Sequence, residues 1–169
     1  MRILGVDPGL RLTGYACLDM RPDVPHLQPS IVEAGVFRLR QGTSVSERLV
    51  ELERDLQDLL DRVEPTHAAV EGLFAHYKRP TTAVAMGHAR GVILLCLRRA
   101  GLEIAELKPT RVKKSLTGFG HASKAQVQSA VAAQLSLPAP PTPADVADAI
   151  AIALCAARSR AVTTYTPPR

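Results

Sequence analysis

Four acidic residues occupy positions from which carboxylates can act together. Asp7 and Glu71 each end a short apolar segment that is typical of a buried strand. Asp145 and Asp148 are three residues apart at the start of an apolar helical segment, so they share one helix face. The ends of neighbouring strands meet at one edge of a sheet. The pattern therefore predicts a cluster of oxygen ligands at such an edge.

A cluster of carboxylates needs a cation, because two unit charges 4 Å apart interact by about 4 kcal/mol at an effective dielectric constant of 20. Mg²⁺ selects hard oxygen ligands, and a pair of ions held by shared carboxylates is typical of phosphodiester hydrolysis. One ion polarises a water molecule and the other stabilises the departing 3′ oxygen. We therefore expect two Mg²⁺ ions in the site, with Mn²⁺ as an alternative.

Each acid also has an ordinary structural explanation. Asp7 precedes a Pro-Gly pair and could start a turn, and Glu71 could be an exposed strand end. Asp145 follows a threonine by three residues and could complete a capping box. Asp148 lies between two alanines of an apolar helix, where a charge needs a partner or a metal. The four acids as a set favour a metal site more strongly than any one of them does.

Positive charge is concentrated between Lys78 and Lys124. This block has ten basic and two acidic residues, a net charge of +8, in a chain whose total is +5. Such a block is typical of a surface for a polyanion and predicts nucleic-acid binding. Aromatic residues beside basic ones are expected where bases stack and phosphates are held. The candidate DNA contacts are Phe74, Tyr77, Lys78, Arg79, Arg90, Arg111, Lys113, Lys114 and Lys124.

The length of 169 residues predicts one domain with its own core, which we place at residues 1–162, followed by a short polar tail at 163–169. The three cysteines are far apart and form no CxxC pair, as is typical of a reducing compartment. The sequence shows no signal-peptide pattern and no apolar run of about 20 residues. We therefore expect a cytoplasmic protein with no membrane contact.

Hydrophobic periodicity and turn residues predict an α/β sandwich with a mixed sheet. The first three strands are close enough in sequence to form an antiparallel meander. Two capping boxes, Ser44 with Glu47 and Ser123 with Gln126, mark helix starts. Strands are predicted at residues 1–7, 12–19, 31–39, 67–71 and 103–107, and helices at 45–63, 81–101, 109–116 and 124–137, with a last helix that opens at 142–143.

Five motifs, in order along almost the whole chain, resemble those of the RuvC-type Holliday junction resolvases. They are GVDPGLRLTGYA, AAVEGLF, MGHARGV, KPTRVKKSLTGFGHASKAQV and DVADAIAIA. The resemblance implies an RNase H-like fold, with a mixed five-stranded β-sheet flanked by helices. It also implies a homodimer that cuts two strands of a four-way DNA junction symmetrically, and a branch-migration complex, RuvAB, as a partner. Gly72, Pro80 and His88 depart from residues that are common in the family.

The resemblance also implies roles for single residues. The metal-binding catalytic acids of the family fall at Asp7, Glu71, Asp145 and Asp148, which makes these four the expected catalytic and metal residues. Lys113 and Lys124 match family lysines that contact the region of the scissile phosphate or assist catalysis. The ammonium of Lys124, just after the N-cap residue of a helix, suits a phosphate on chemical grounds too. The family places an aromatic residue, here Phe74, at the junction centre.

Two other classes of function compete with a nuclease. A sugar-kinase or actin-type phosphotransferase has a similar strand-turn-strand opening with Asp and Gly, but it needs a second phosphate loop and a much longer chain. A structure-selective DNA-binding protein that does not cleave is expected to lack one or more of the four acids. Residues 82–100 form the helix on which we expect the dimer interface, because it has more apolar surface than one sheet face covers.

Overall fold

A computed structural model of the chain describes residues 1–20, 28–72 and 80–164. Its strands are β1 (Arg2–Asp7), β2 (Leu12–Asp19), β3 (Ser30–Arg38), β4 (His67–Glu71) and β5 (Glu103–Leu107). Its helices are α1 (Val45–Val63), α2 (Pro80–Arg99), α3 (Pro109–Thr117), α4 (Lys124–Gln134) and α5 (Ala144–Thr164).

The strands form one mixed sheet in the order β3-β2-β1-β4-β5. β1, β2 and β3 pair antiparallel, which confirms the predicted meander. β4 pairs parallel with both β1 and β5, because α1 and α2 carry the chain back to the same end of the sheet each time. The predicted five-stranded mixed sheet flanked by helices is confirmed.

Both predicted capping boxes are present. The Ser44 hydroxyl accepts a hydrogen bond from the Glu47 amide at 3.2 Å, and the Glu47 carboxylate accepts one from the Ser44 amide at 2.8 Å. Ser123 and Gln126 make the same reciprocal pair at the start of α4. The helix starts were therefore predictable from local chemistry alone.

Some element ends differ from the sequence prediction. α4 ends at Gln134 instead of residue 137, because Ser136 has a left-handed backbone with φ of 51°. α2 ends at Arg99, two residues before Gly101, which also has positive φ. α5 continues to Thr164, past the start of the tail predicted at residues 163–169. The division between domain and tail remains a prediction.

The core has two layers, one on each face of the sheet. Successive residues of β1 alternate between them, so Ile3 packs beneath α5 while Leu4 packs against α1 and α2. In α5, every residue from Val146 to Ala157 except Asp148 is buried. Helix α5 is apolar on all sides because one side packs on the centre of the sheet and the others are covered by α3 and α4.

Two strand glycines allow α5 to lie unusually close to the sheet. A Cβ at Gly5 would stand 2.3 Å from the carbonyl oxygen of Ala149, and one at Gly14 would stand 2.2 Å from that of Asp145. Both neighbours are backbone atoms of α5, which cannot move aside as a flexible side chain can. Glycine is therefore required at these positions by close approach.

The described part of the chain contains no helix that is long and apolar enough to cross a membrane. Cys17, Cys96 and Cys155 are all buried and have free thiols. They serve as small core residues, as their apolar sequence surroundings predict.

We expect Gly5→Ala to lower the free energy of unfolding by at least about 2 kcal/mol, because the added methyl group meets the α5 backbone. Urea unfolding followed by circular dichroism measures the change. Gly91→Ala on α2 is the matched control, since no described atom outside its own part of the helix lies within 4 Å of the added Cβ and alanine favours a helix.

The control is measured at two protein concentrations, so that any contact between copies of the chain through α2 shows as a concentration-dependent midpoint. An unchanged unfolding midpoint for Gly5→Ala would show that α5 can move away from the sheet without cost.

Candidate active site

Asp7 is the last residue of β1, and a tight turn follows it. The turn is held by Thr13, a fully buried polar residue. The Thr13 hydroxyl accepts a hydrogen bond from the Gly9 amide at 3.3 Å and donates one to the Gly9 carbonyl at 2.5 Å. These bonds fix the path of the chain directly after Asp7, so the carboxylate has a defined position at the sheet edge.

Glu71 ends β4, the strand next to β1. The parallel register pairs Val6 with Val70, so Asp7 and Glu71 leave the sheet side by side. On the other side of β4, Arg90 of α2 donates a hydrogen bond from Nε to the Glu71 carbonyl at 3.3 Å. The Arg90 guanidinium also pairs with the Glu106 carboxylate, which ties α2 and β5 to this strand end.

Asp145 and Asp148 come from the first turns of α5. Asp7 pairs with Gly14 in the β1 and β2 register, and Gly14 is the residue whose missing side chain admits the Asp145 backbone. The close approach of α5 therefore brings its first turns to the edge where β1 ends. Asp148 lies one helical turn further on, with 24% of its side chain exposed.

The four carboxyl groups act on one another electrostatically. Burial raises the pKa of Asp7 well above its usual value, and the charges of Glu71, Asp148 and Asp145 raise it further. Burial, followed by the Asp148 charge, raises the pKa of Glu71 to about 6, although a hydrogen bond from the Asp7 carboxyl partly opposes this. The structure thus brings all four predicted acids together, in a place where their negative charge is unfavourable.

Two lysines from separate helices face this cluster. The Lys124 Nζ lies 3.3 Å from the Asp148 Oδ2. Burial opposes the charged form of Lys124, but its pKa is raised on balance by Asp148 and by the more distant charges of Asp145 and Asp7. Lys113 of α3 and Lys124 both lower the pKa of Glu71. Both lysines that the family resemblance singles out therefore lie beside the acids.

The donor set is all-oxygen, which fits Mg²⁺ better than a softer metal. Asp7 and Glu71, whose pKa values are raised first by burial and then by neighbouring negative charges, are also groups that a divalent cation would stabilise. As they stand, no three His, Cys, Asp or Glu side chains among the described residues form a group that could hold an ion. Asp148 is instead paired with Lys124, so ion binding requires side-chain movement.

The other predicted DNA contacts do not lie together beside the acids. Arg90 has a mostly buried side chain and is engaged by Glu71 and Glu106, as a positioning residue would be. Arg111 and Lys114 line a separate pocket of about 420 Å³, in which Arg111 donates a hydrogen bond to Ser159 at 3.0 Å. Phe74, Tyr77, Lys78 and Arg79 lie outside the described residues. DNA contact by any of these residues remains a prediction.

Sequence reasoning missed two residues that hold the site together. Thr13 was visible in the motif, and a threonine four residues after the Gly of a Pro-Gly turn is the available signal. Arg90 was predicted only as a DNA contact, because nothing local in the sequence shows that α2 meets the end of β4.

Comparison with known proteins extends over nearly the whole chain. The family model described as Crossover junction endodeoxyribonuclease RuvC matches residues 3–156. A crossover junction endodeoxyribonuclease RuvC of Rhodopirellula baltica is 48% identical over 153 residues, which are 90% of this chain and 84% of the relative. One from Synechococcus sp. is 42% identical over 156 residues, which are 91% and 96% of the two chains.

Solved structures agree with these sequence matches. Thermus thermophilus RuvC in complex with Holliday junction substrate superposes with a TM-score of 0.88 at 30% identity, covering 99% of both chains. The Thermus thermophilus RuvC structure has a TM-score of 0.86 at the same identity, covering 99% of this chain and 100% of that one. The RNase H-like fold class inferred from the motifs is therefore confirmed. Since sequence, fold and the order of the motifs agree over almost all of its length, the chain belongs to the RuvC family of crossover junction endodeoxyribonucleases.

Proposed function

We propose that this chain resolves four-way DNA junctions by Mg²⁺-dependent hydrolysis, making paired symmetric nicks as a homodimer. The observation that carries the proposal is the convergence of four carboxylates and two lysines at one sheet edge, where the pKa values of Asp7 and Glu71 are raised. The similar Thermus thermophilus RuvC was solved in complex with a Holliday junction substrate, which supports a four-way junction as the DNA structure recognised.

In this proposal Asp7, Glu71 and Asp148 hold the ions, and Asp145 binds at their edge. When bound, magnesium supplies a polarised water molecule as nucleophile and stabilises the departing 3′ oxygen. The chain contributes carboxylates on rigid elements, two at strand ends and two on a helix packed against the same sheet. Such placement limits how far the ligands must move before reaction.

The lysines have a complementary role. Lys124 neutralises Asp148 at 3.3 Å, so it keeps a cationic group beside the acids. When Asp148 turns to a metal ion, we propose that the Lys124 ammonium faces the scissile phosphate. Lys113 acts from α3 on the same region and offsets negative charge that develops during hydrolysis.

The described residues of one chain bring together one such cluster of acids, which supports the homodimer because two symmetric cuts need two sites. The interface on α2, the RuvAB complex as a partner and residues 1–162 as the nuclease domain belong to the same proposal. A DNA-binding protein without nuclease activity is the alternative. All four acids are present, and the other three are close enough to Asp7 to raise its pKa, which favours cleavage over that alternative.

A synthetic four-way junction and a linear duplex of the same sequence test the proposal directly. We expect cleavage of the junction at symmetric positions when Mg²⁺ is present, no cleavage in EDTA, and nicked products that a ligase can seal. Gel analysis of end-labelled strands measures the position and pairing of the cuts.

Equal cleavage of junction and duplex would contradict the structural selectivity. Binding of the junction without cleavage of either substrate would instead support the binding-only alternative. Cleavage in EDTA would contradict the metal dependence.

Asp7→Asn should abolish cleavage, yet in EDTA at pH 8 it should leave the fold as stable as the wild type or more so. The raised pKa values mean that the folded wild type binds protons more tightly than the unfolded chain, so its stability falls as pH rises. Asparagine removes the ionisable group at position 7, so the advantage of the variant should shrink as the pH is lowered from 8 through the raised pKa of Asp7.

Thermal melts in EDTA across this pH range measure the effect, with Asp61→Asn as control because Asp61 is exposed on α1. A clear loss of stability in Asp7→Asn alone would show that Asp7 is chiefly a structural residue of the turn. Junction binding should survive in both variants.

We expect Lys113→Ala to impair catalysis and Lys114→Ala to impair junction binding. Lys113 acts on Glu71, so its loss should lower kcat by about 100-fold, the scale of a lost transition-state donor. Lys114 lines a pocket away from the acids, so its loss should weaken junction binding and leave kcat at saturation unchanged. Single-turnover cleavage over a range of enzyme concentrations separates the two effects, and the same kcat loss in both variants would contradict the assignment.

A further inference from the structure

A cleft opens beside the candidate active site. Its volume is about 770 Å³. The walls come from the turn after β1, the end of β3, the first turns of α1 and the start of α2. We call it the arginine cleft and define it by Leu10, Arg11, Arg38, Arg48, Met86 and Asp145.

The three arginines give the cleft a positive charge without acidic partners. Within residues 1–20, 28–72 and 80–164, the exposed guanidinium groups of Arg11 and Arg38 form no hydrogen bond or ion pair. Arg48 is partly buried and donates a hydrogen bond only to backbone carbonyls, that of Leu10 at 3.4 Å and that of Ser44 at 3.5 Å. No carboxylate in the described part of the chain forms an ion pair with any of these three arginines.

The acids closest in sequence to Arg48 are occupied elsewhere. The Glu47 carboxylate accepts the Ser44 amide at 2.8 Å, and the Glu51 carboxylate accepts the Arg40 amide at 2.9 Å. Neither residue lines the cleft. An anion that enters the cleft therefore meets three guanidinium groups, with Asp145 as the acidic lining residue at the active-site end.

The cleft is continuous with the candidate active site. Asp145 lines it, and its wall at Leu10 begins three residues after Asp7. Its floor includes the buried Leu10 and Leu39 and the partly buried Met86. A surface with an apolar floor and arginines at its rim suits a chain of sugars and phosphates.

We propose that the arginine cleft binds the phosphodiester backbone of the DNA strand that leads into the active site, with Arg11 and Arg38 each contacting a phosphate. This inference rests on the proposed nuclease function, because it uses the position of the cleft next to Asp145. It adds a second DNA-contact surface, whose three arginines lie outside the basic block between Lys78 and Lys124.

The salt dependence of junction binding tests the cleft. Each lost phosphate contact lowers the slope of log K against log salt by about 0.9. In an Asp7→Asn background, which prevents cleavage, the pair Arg11→Ala and Arg38→Ala should therefore reduce the slope by about 1.8. Fluorescence anisotropy with a labelled four-way junction measures it.

The matched control is the pair Arg54→Ala and Arg99→Ala. These residues are exposed and pair with Asp55 and Glu53, and Arg99 stands at the far end of α2 from the cleft. The control removes the same charge and should leave the slope unchanged. The pair Arg11→Lys and Arg38→Lys should keep the wild-type slope, because it retains both charges.

Equal slopes for the cleft pair and its control would overturn the proposal, even if the wild-type chain cuts junctions normally. Failure of the wild type to cut a junction that it binds would overturn the proposed function instead, and the slope comparison would still report on the cleft. The two failures are therefore distinguishable.

A cysteine at the cleft gives a second test that does not depend on affinity. Cys17, Cys96 and Cys155 are buried, so Arg38→Cys introduces the accessible thiol. Junction DNA should protect this thiol from a maleimide, and Arg54→Cys should stay reactive. Protection that appears without DNA and grows with protein concentration would show that a second copy of the chain covers the cleft, and would overturn the proposal.

Discussion

The seating of α5 against the bare backbone of β1 and β2 is the contact on which the rest of the site depends. Gly5 and Gly14 leave room for the helix backbone, whose carbonyl oxygens occupy the space that two Cβ atoms would need. Without this approach Asp145 and Asp148 would stand further from Asp7. The same contact buries the apolar length of α5, so core packing and site geometry share one cause.

The site combines rigid supports with unfavourable charge. Asp7 and Glu71 stand on central strands that are held on both sides, while Thr13 and Arg90 fix the backbone just where each strand ends. The resulting burial raises the pKa values of both acids. Holding buried carboxylates close together lowers the stability of the fold, and such local destabilisation is common at functional sites.

Much of this arrangement follows from short-range sequence patterns. Strand periodicity and the capping residues Ser44 and Ser123 locate most elements, and an acid at the end of each of two neighbouring strands points to the sheet edge. The end of α4 was not predictable, because the left-handed backbone of Ser136 has no marker comparable to glycine.

Features that depend on contacts between distant parts of the chain could not be predicted from the sequence. Arg11, Arg38 and Arg48 belong to three different elements, so no local count of charge detects their common cleft. The basic residues of α3 are close in sequence but act at different places. Lys113 and Lys114 are adjacent in the sequence, yet one acts on Glu71 and the other lines a separate pocket, because neighbouring helix positions face about 100° apart.

The carboxylates of the site are drawn from the whole span of the chain between Asp7 and Asp148. A growing polypeptide therefore carries only half of them until its last helix has been synthesised and has docked on the two strand glycines. Partly made or locally unfolded chains cannot assemble the full set. The complete group of four acids therefore forms only when the whole fold is complete.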